Sequence, residues 1–249
     1  MGDANIKYDE KFGINTFKRE ICAELGGGFW DRLTDGLSLP DMDTEAACKC
    51  RRMRAFMERF ESMAGPETVK TILCRVRHGI RPSQPAWARE EFLRSGSLDS
   101  FLQLHLEREL AHFKELNRTG GDFYGQPITD EVLDFVKAHP HMLAPVREGN
   151  VLRCMAFPGN MKEYLAAADP REKRYHACHC PFARESILSD SPVSHTLCNC
   201  SLGHVMNFTE AFLDRPLTGR VVSSVLAGGM TCEYEINIPE DIMKKYVKA

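Results

Sequence analysis

Apolar positions in the first half of the chain recur at three- and four-residue spacing. Ile14, Phe17, Ile21 and Leu25 make one stripe, which predicts a helix over 14–25 ended by the glycines at 26–28. Asp43 or Thr44 is the expected cap of a second helix through Met63, with Ala46, Cys50, Met53, Phe56, Phe60 and Met63 facing inward. Gly65 stops that helix, and Pro66 suits the first turn of a third, reaching His78 and Gly79. "RPSQP" reads as a loop, 86–94 as a short helix stopped by Gly96, and 98–117 as the best helix in the chain. Phe101, Leu104, Leu110 and Phe113 are its apolar side. "RTGGDFYGQP" is a loop, and "TDEVLDFVKAH" a short helix capped by Thr129.

Beyond about residue 141 the pattern changes. "VLRCMAF" reads as a strand, "MKEYLAAAD" as a short helix and "RYHACHC" as extended. "SLGHVMNFTEAFLD" is an amphipathic helix with Leu202, Val205, Phe208 and Phe212 in register. "GRVVSSVLA", a "GG" turn and "MTCEYEINI" predict a closing hairpin. Strict alternation puts Cys232, Tyr234, Ile236 and Ile238 on its buried face, opposite Thr231, Glu233, Glu235 and Asn237. The expected architecture is α+β: a helical region, 1–140, followed by an α/β domain, 141–249, whose antiparallel sheet ends in the hairpin.

Bulk properties exclude more than they assign. The chain has 249 residues, 43% hydrophobic and 27% charged, as in ordinary globular proteins. A net charge of −3 offers no basic surplus for nucleic acid or anionic lipid, and no apolar run approaches a membrane span. The start is polar, without a secretory signal, and Ile6 stands where myristoylation needs Ser or Thr, so the expected location is cytoplasmic.

In that compartment ten cysteines should be mostly reduced, and clustered ones suggest metal binding or chemistry before disulfides. Cys22, Cys74 and Cys154 are scattered and read as small buried hydrophobes. Cys48 and Cys50 lie two apart in a predicted helix, where their side chains diverge, so Cys50 reads as core. Two further Cys-x-Cys pairs, Cys178 with Cys180 and Cys198 with Cys200, stand seventeen residues apart with Cys232 downstream. Were 175–180 extended, His176, Cys178 and Cys180 would share a face and His179 would point away. Tetrahedral zinc needs sulfurs roughly 3.8 Å apart, so a local turn is required; Pro181 makes one plausible. The candidate ligands are therefore Cys178, Cys180, Cys198, Cys200 and Cys232. Zinc is the expected ion, an iron–sulfur cluster a lesser alternative. Buried inert thiols and redox or nucleophilic chemistry remain open. His176 is a candidate ligand or general base, ahead of His179 and His195, while His139 and His141 flank Pro140 in a turn. Arg153, Arg174 and Arg184 could recognise a carboxylate.

The stretch from Cys198 to Ile238 resembles the end of the 4-vinyl-reductase-type ligand-binding domain, through Gly229, Cys232, Tyr234 and Ile236. It is also similar to the L-2-amino-thiazoline-4-carboxylic acid hydrolase family, which suggests a bacterial relative of that group. The likeness covers about a fifth of the chain well. It implies zinc ligands at Cys198 and Cys232, whereas the family's Glu and middle Cys positions fall on Val221 and Ser224. If the ion persists, Cys178, Cys180 or Cys200 must replace them.

Two functions follow as expectations. The first is a metal- or thiolate-dependent hydrolase acting on a small cyclic C–N, C–S or amide-like substrate, with His176 moving protons and Cys180 as ligand or nucleophile. The second is a non-enzymatic ligand-binding or sensor module with a structural zinc. Either takes a small-molecule partner and neither nucleic acid nor membrane; an oligomer is compatible with both.

Overall fold

The structure is a computed structural model that describes residues 13–77 and 86–247. The helix that begins at Pro66 ends at Leu73, short of the expected His78, and His78, Gly79 and the 81–85 loop lie outside the described residues. So does the polar start. Eleven α-helices and two small antiparallel sheets are present among those described, an α+β fold with a helical first half and a later sheet. No described helix is long and apolar enough to cross a membrane.

The helical half opens with α1 (Ile14–Leu25), α2 (Gly27–Thr34), α3 (Ala46–Ala64) and α4 (Pro66–Leu73). The cap of α3 is Glu45, not Asp43 or Thr44: its carboxylate accepts from the Ala47 and Cys48 N–H groups at 3.0 and 3.1 Å. Starting at Ala46, the helix turns Cys50, Met53, Phe56, Met57 and Phe60 inward, leaving Ala46 and Met63 exposed against expectation. Then come α5 (Ala86–Ser95), α6 (Leu98–Thr119) and α7 (Asp130–Ala138). Ser97 caps α6 and Thr129 caps α7. On α6 the inward positions are Leu98, Phe101, Leu102, His105 and Phe113. Leu104 is exposed, because the stripe that packs on Phe208 and Phe212 runs through His105 instead. Between α6 and α7, β1 (Asp122–Phe123) and β2 (Gln126–Pro127) form a minimal hairpin inside the predicted loop.

The main sheet joins β3 (Val146–Glu148), β4 (Val151–Met155), β5 (Gly219–Ser223) and β6 (Glu233–Asn237) in the order β3-β4-β6-β5. Between β4 and β5 lie α8 (Met161–Ala166), α9 (Pro170–Ala177) and α10 (Asn199–Leu213); α11 (Glu240–Tyr246) closes the described chain. Leu152 pairs with Ile236 and Cys154 with Tyr234, and these four make the buried face. On the opposite face Arg220 bonds Glu235 at 2.7 Å and Arg153 lies 3.6 Å from Glu233.

Three hydrophobic clusters hold the fold, and each draws on both sides of residue 140. The first packs α1–α4 around Phe182, Val193, Leu197 and Cys200. The second joins α5 and α6 to the sheet and α10. The third joins Phe113 and α7 to α8, Cys178 and Val225. The segment after α9 is thus an insertion into the helical core: the Phe182 ring meets Phe17 edge-on at 6.1 Å.

Candidate functional site: a five-cysteine cavity

The segment before Cys178 is a helix, not the extended run expected from "RYHACHC". Asp169 accepts from the Arg171 and Glu172 N–H groups, both at 2.9 Å, and Pro170 occupies the first turn. An Asp-Pro start is a strong local helix signal that outweighs the apparent alternation. α9 ends at Cys178, whose φ of −77° and ψ of 124° are extended. Gly159 fixes this exit: a Cβ there would stand 2.8 Å from the Cys178 carbonyl oxygen. Only after Cys180 does the chain turn, when the Ala183 and Arg184 N–H groups donate to the Cys180 carbonyl at 3.1 and 3.0 Å.

The second pair sits on another kind of corner. Cys198 closes a short 3₁₀ turn (His195–Cys198), and Cys200 is in the first turn of α10. Cys232 arrives from the sheet just before β6, where its carbonyl accepts from the Ala156 N–H at 2.9 Å. A 3₁₀ turn, Val225–Ala227, completes the surround, held to α9 by Arg174 donating to the Val225 carbonyl at 3.3 Å.

These segments enclose a cavity of about 20 Å³ lined by Cys178, Cys180, Cys198, Cys200 and Cys232. Leu197, Val225 and Leu226 supply its apolar wall, and His179 and Ser201 also line it. The volume is that of about one water-sized atom. All five candidate ligands therefore meet in one place. His176, expected beside them, is in the last turn of α9 and is not among the lining residues. His195 is exposed. Arg153, Arg174 and Arg184 all have partners within the chain: Glu148, the Val225 carbonyl and the Tyr175 ring.

Burial keeps the thiols protonated. It raises Cys178 and Cys200 well above the ordinary thiol range and Cys180 to about 12, and it also raises Cys198 and Cys232. Mutual repulsion adds to this. Among Cys178, Cys180, Cys198 and Cys232, charge on any one disfavours charge on each of the other three. Cys200 is coupled to Cys180 and Cys198, and beyond them to Cys74. Cys50, expected to be plain core, is buried in α3 beside Cys180, so the cluster continues into the helical half.

All five lining sulfurs also have a donor that favours the thiolate, the Ser201 hydroxyl serving Cys200. The backbone of Cys180 serves Cys178, and those of Phe182 and Ala183 serve Cys180. The Ser224 hydroxyl serves Cys198, and the Val225 backbone serves Cys232. Ser224 thus serves Cys198 as a donor. Val221 instead packs against the core beneath the sheet.

All ten cysteines are free thiols. Among the described residues, no group of three or more His, Cys, Asp or Glu stands arranged to hold a metal ion. The donor set nonetheless suits a soft cation: several thiols, no competing carboxylate at the cavity, and donors already aimed at the sulfurs. The chain matches no protein-family model, no curated protein and no solved structure.

Proposed function

We propose that the protein is a zinc-thiolate protein in which Cys178, Cys180, Cys198 and Cys232 hold one soft divalent cation. One observation carries this reading: five cysteines from three separate chain segments line a single cavity of about one water's volume, with no carboxylate among the lining residues. Such an arrangement is unfavourable for free thiolates and favourable once a dication neutralises them. The small volume favours a single ion over an iron–sulfur cluster. Four thiolates would make a closed, structural site, whose chemical contribution is a rigid cross-link between chain segments. Here the segments are the α9 exit, the entry to α10 and the start of β6. Locking the first of them would also hold Phe182 in the helical core.

Small-molecule hydrolysis is the second reading, favoured by one feature. Five thiols line the cavity where at most four can ligate, which leaves Cys200 and His179 at its wall. An open metal position would need one of the four to be replaced by water.

The test is elemental analysis of the purified full chain, followed by cobalt substitution. Near-stoichiometric zinc and an all-thiolate cobalt spectrum indifferent to added anions support the structural site. An anion-sensitive spectrum with hydrolysis of thiazoline or cyclic amide substrates would favour the second reading. Protein that takes up neither zinc nor cobalt overturns both.

A further inference from the structure

Helix α3 carries five cations within eleven residues, Lys49, Arg51, Arg52, Arg54 and Arg59, and few carboxylates to answer them. Among the described residues only Arg54 has an acidic partner, Glu58 at 3.8 Å. Lys49 is 7% exposed, and its ammonium donates to one carbonyl, that of Met42, at 2.9 Å. Arg52 donates through Nη1 to the Leu39 carbonyl and the Thr44 hydroxyl, both at 3.3 Å. Arg59 donates through Nη1 to the Leu33 and Asp35 carbonyls at 3.3 and 2.6 Å. The chain before α3 thus fixes both guanidinium groups through one nitrogen and leaves their charge uncompensated. In each, the Nε–Nη2 edge has no partner among the described residues. That edge grips a carboxylate with two parallel bonds, as Arg147 grips Asp99 at 2.6 and 2.9 Å. Helical spacing puts Ala55 one turn from Arg51, Arg52 and Arg59, so only a methyl group stands between the three. Arg51 is exposed and has no polar partner among the described residues.

We propose that the outward face of α3 docks a short acidic segment of a partner protein, its carboxylates meeting Arg51, Arg52 and Arg59. Charge complementarity sets both the class and the length of the segment. Arg52 and Arg59 lie seven residues apart on one side of the helix, about 10 Å along its axis, a distance that about three extended residues span. Asp41, Asp43 and Glu45 precede this face, Glu58 and Glu61 lie toward its far end, and the whole chain carries −3. A long polyanion such as nucleic acid would overrun the face and meet those carboxylates. A few acidic side chains fit within it.

The test uses the full chain and a fluorescein-labelled, glutamate-rich decapeptide, followed by anisotropy at low salt. Saturable binding that weakens as salt is added supports the docking face. Arg51→Glu touches no internal contact, so it should keep the melting temperature and weaken binding by at least about tenfold. Arg52→Lys keeps the charge but loses the two-point edge, and should weaken binding by a smaller factor. Arg220→Gln, on the sheet, should leave it unchanged. Equal binding of the glutamine version of the peptide, or of the Arg51→Glu protein, overturns the proposal. So does the absence of saturable binding at low salt. Tighter binding of an oligodeoxynucleotide of the same charge overturns the choice of a protein partner.

Discussion

Gly203 in α10 lies so close to the end of α4 that a Cβ added there would stand 1.9 Å from the Cys74 carbonyl oxygen. No rotamer change relieves a clash with backbone. The contact sets the separation of α10 from α4, and so the position of Cys198 and Cys200 at the start of α10 relative to the helical core. Gly203→Ala should cost at least about 1–3 kcal/mol, as overpacking does. Urea unfolding would measure it, and an unchanged midpoint would show that the two helices separate freely.

Phe182 tests the insertion. The ring is 1% exposed and its partner is Phe17, far away in sequence. Phe182→Ala should cost about 3–5 kcal/mol. If the loop after Cys180 is what joins the cavity to α1–α4, zinc should stabilise the variant less than it stabilises the unaltered chain, because the support between the ring and the site is reciprocal. Melting temperatures with and without zinc check this.

The cysteines divide by place, not by burial. Cys154 is as buried as Cys178, both 5% exposed, yet burial alone raises it to about 12, with no neighbouring thiol contributing. Cys154→Ala should leave the metal content unchanged. Single Ser substitutions of Cys178, Cys180, Cys198 or Cys232 should abolish stoichiometric binding, whereas Cys200→Ala should retain it. Loss of zinc in Cys200→Ala with retention in Cys178→Ser would redraw the ligand set.

His105 makes stability pH-dependent far from the cysteines. It stacks on Phe208 with ring centroids 4.5 Å apart, and its Nδ1 accepts from the Arg108 guanidinium at 2.9 Å. Burial, reinforced by Arg108, lowers its pKa to about 4. The unfolded chain binds this proton below about pH 6.5 and the folded chain does not. Stability is therefore full above about 6.5 and is lost as pH falls toward about 4, by roughly 2–3 kcal/mol. His105→Gln, which can still accept from Arg108 but does not titrate, should flatten the unfolding free energy over that window. An equally steep profile would place the dependence elsewhere.

Much of the architecture could be read from spacing. Helices α1, α6, α7 and α10, the stop at Gly96, the cap at Thr129 and the hairpin alternation are local, being set by neighbours three, four or two residues apart. The errors arose where two local signals competed. At 170–177 the Asp169–Pro170 start overrode a seeming strand, and with it His176 left the cysteine face. At Leu104 an apolar side chain is exposed because Phe208 packs on His105, one position over.

Residue type and order were sufficient to single out five cysteines as one group, since thiols in close pairs outside a helix are suited to sharing a partner. Convergence was a different matter. Cys180 shares one hydrophobic cluster with Cys50 and another with Cys178 and Cys232 only because separate apolar faces press the α9 exit, α10 and the start of β6 together. Contacts across more than a hundred residues come from the burial of whole faces, and no short window of sequence contains that information.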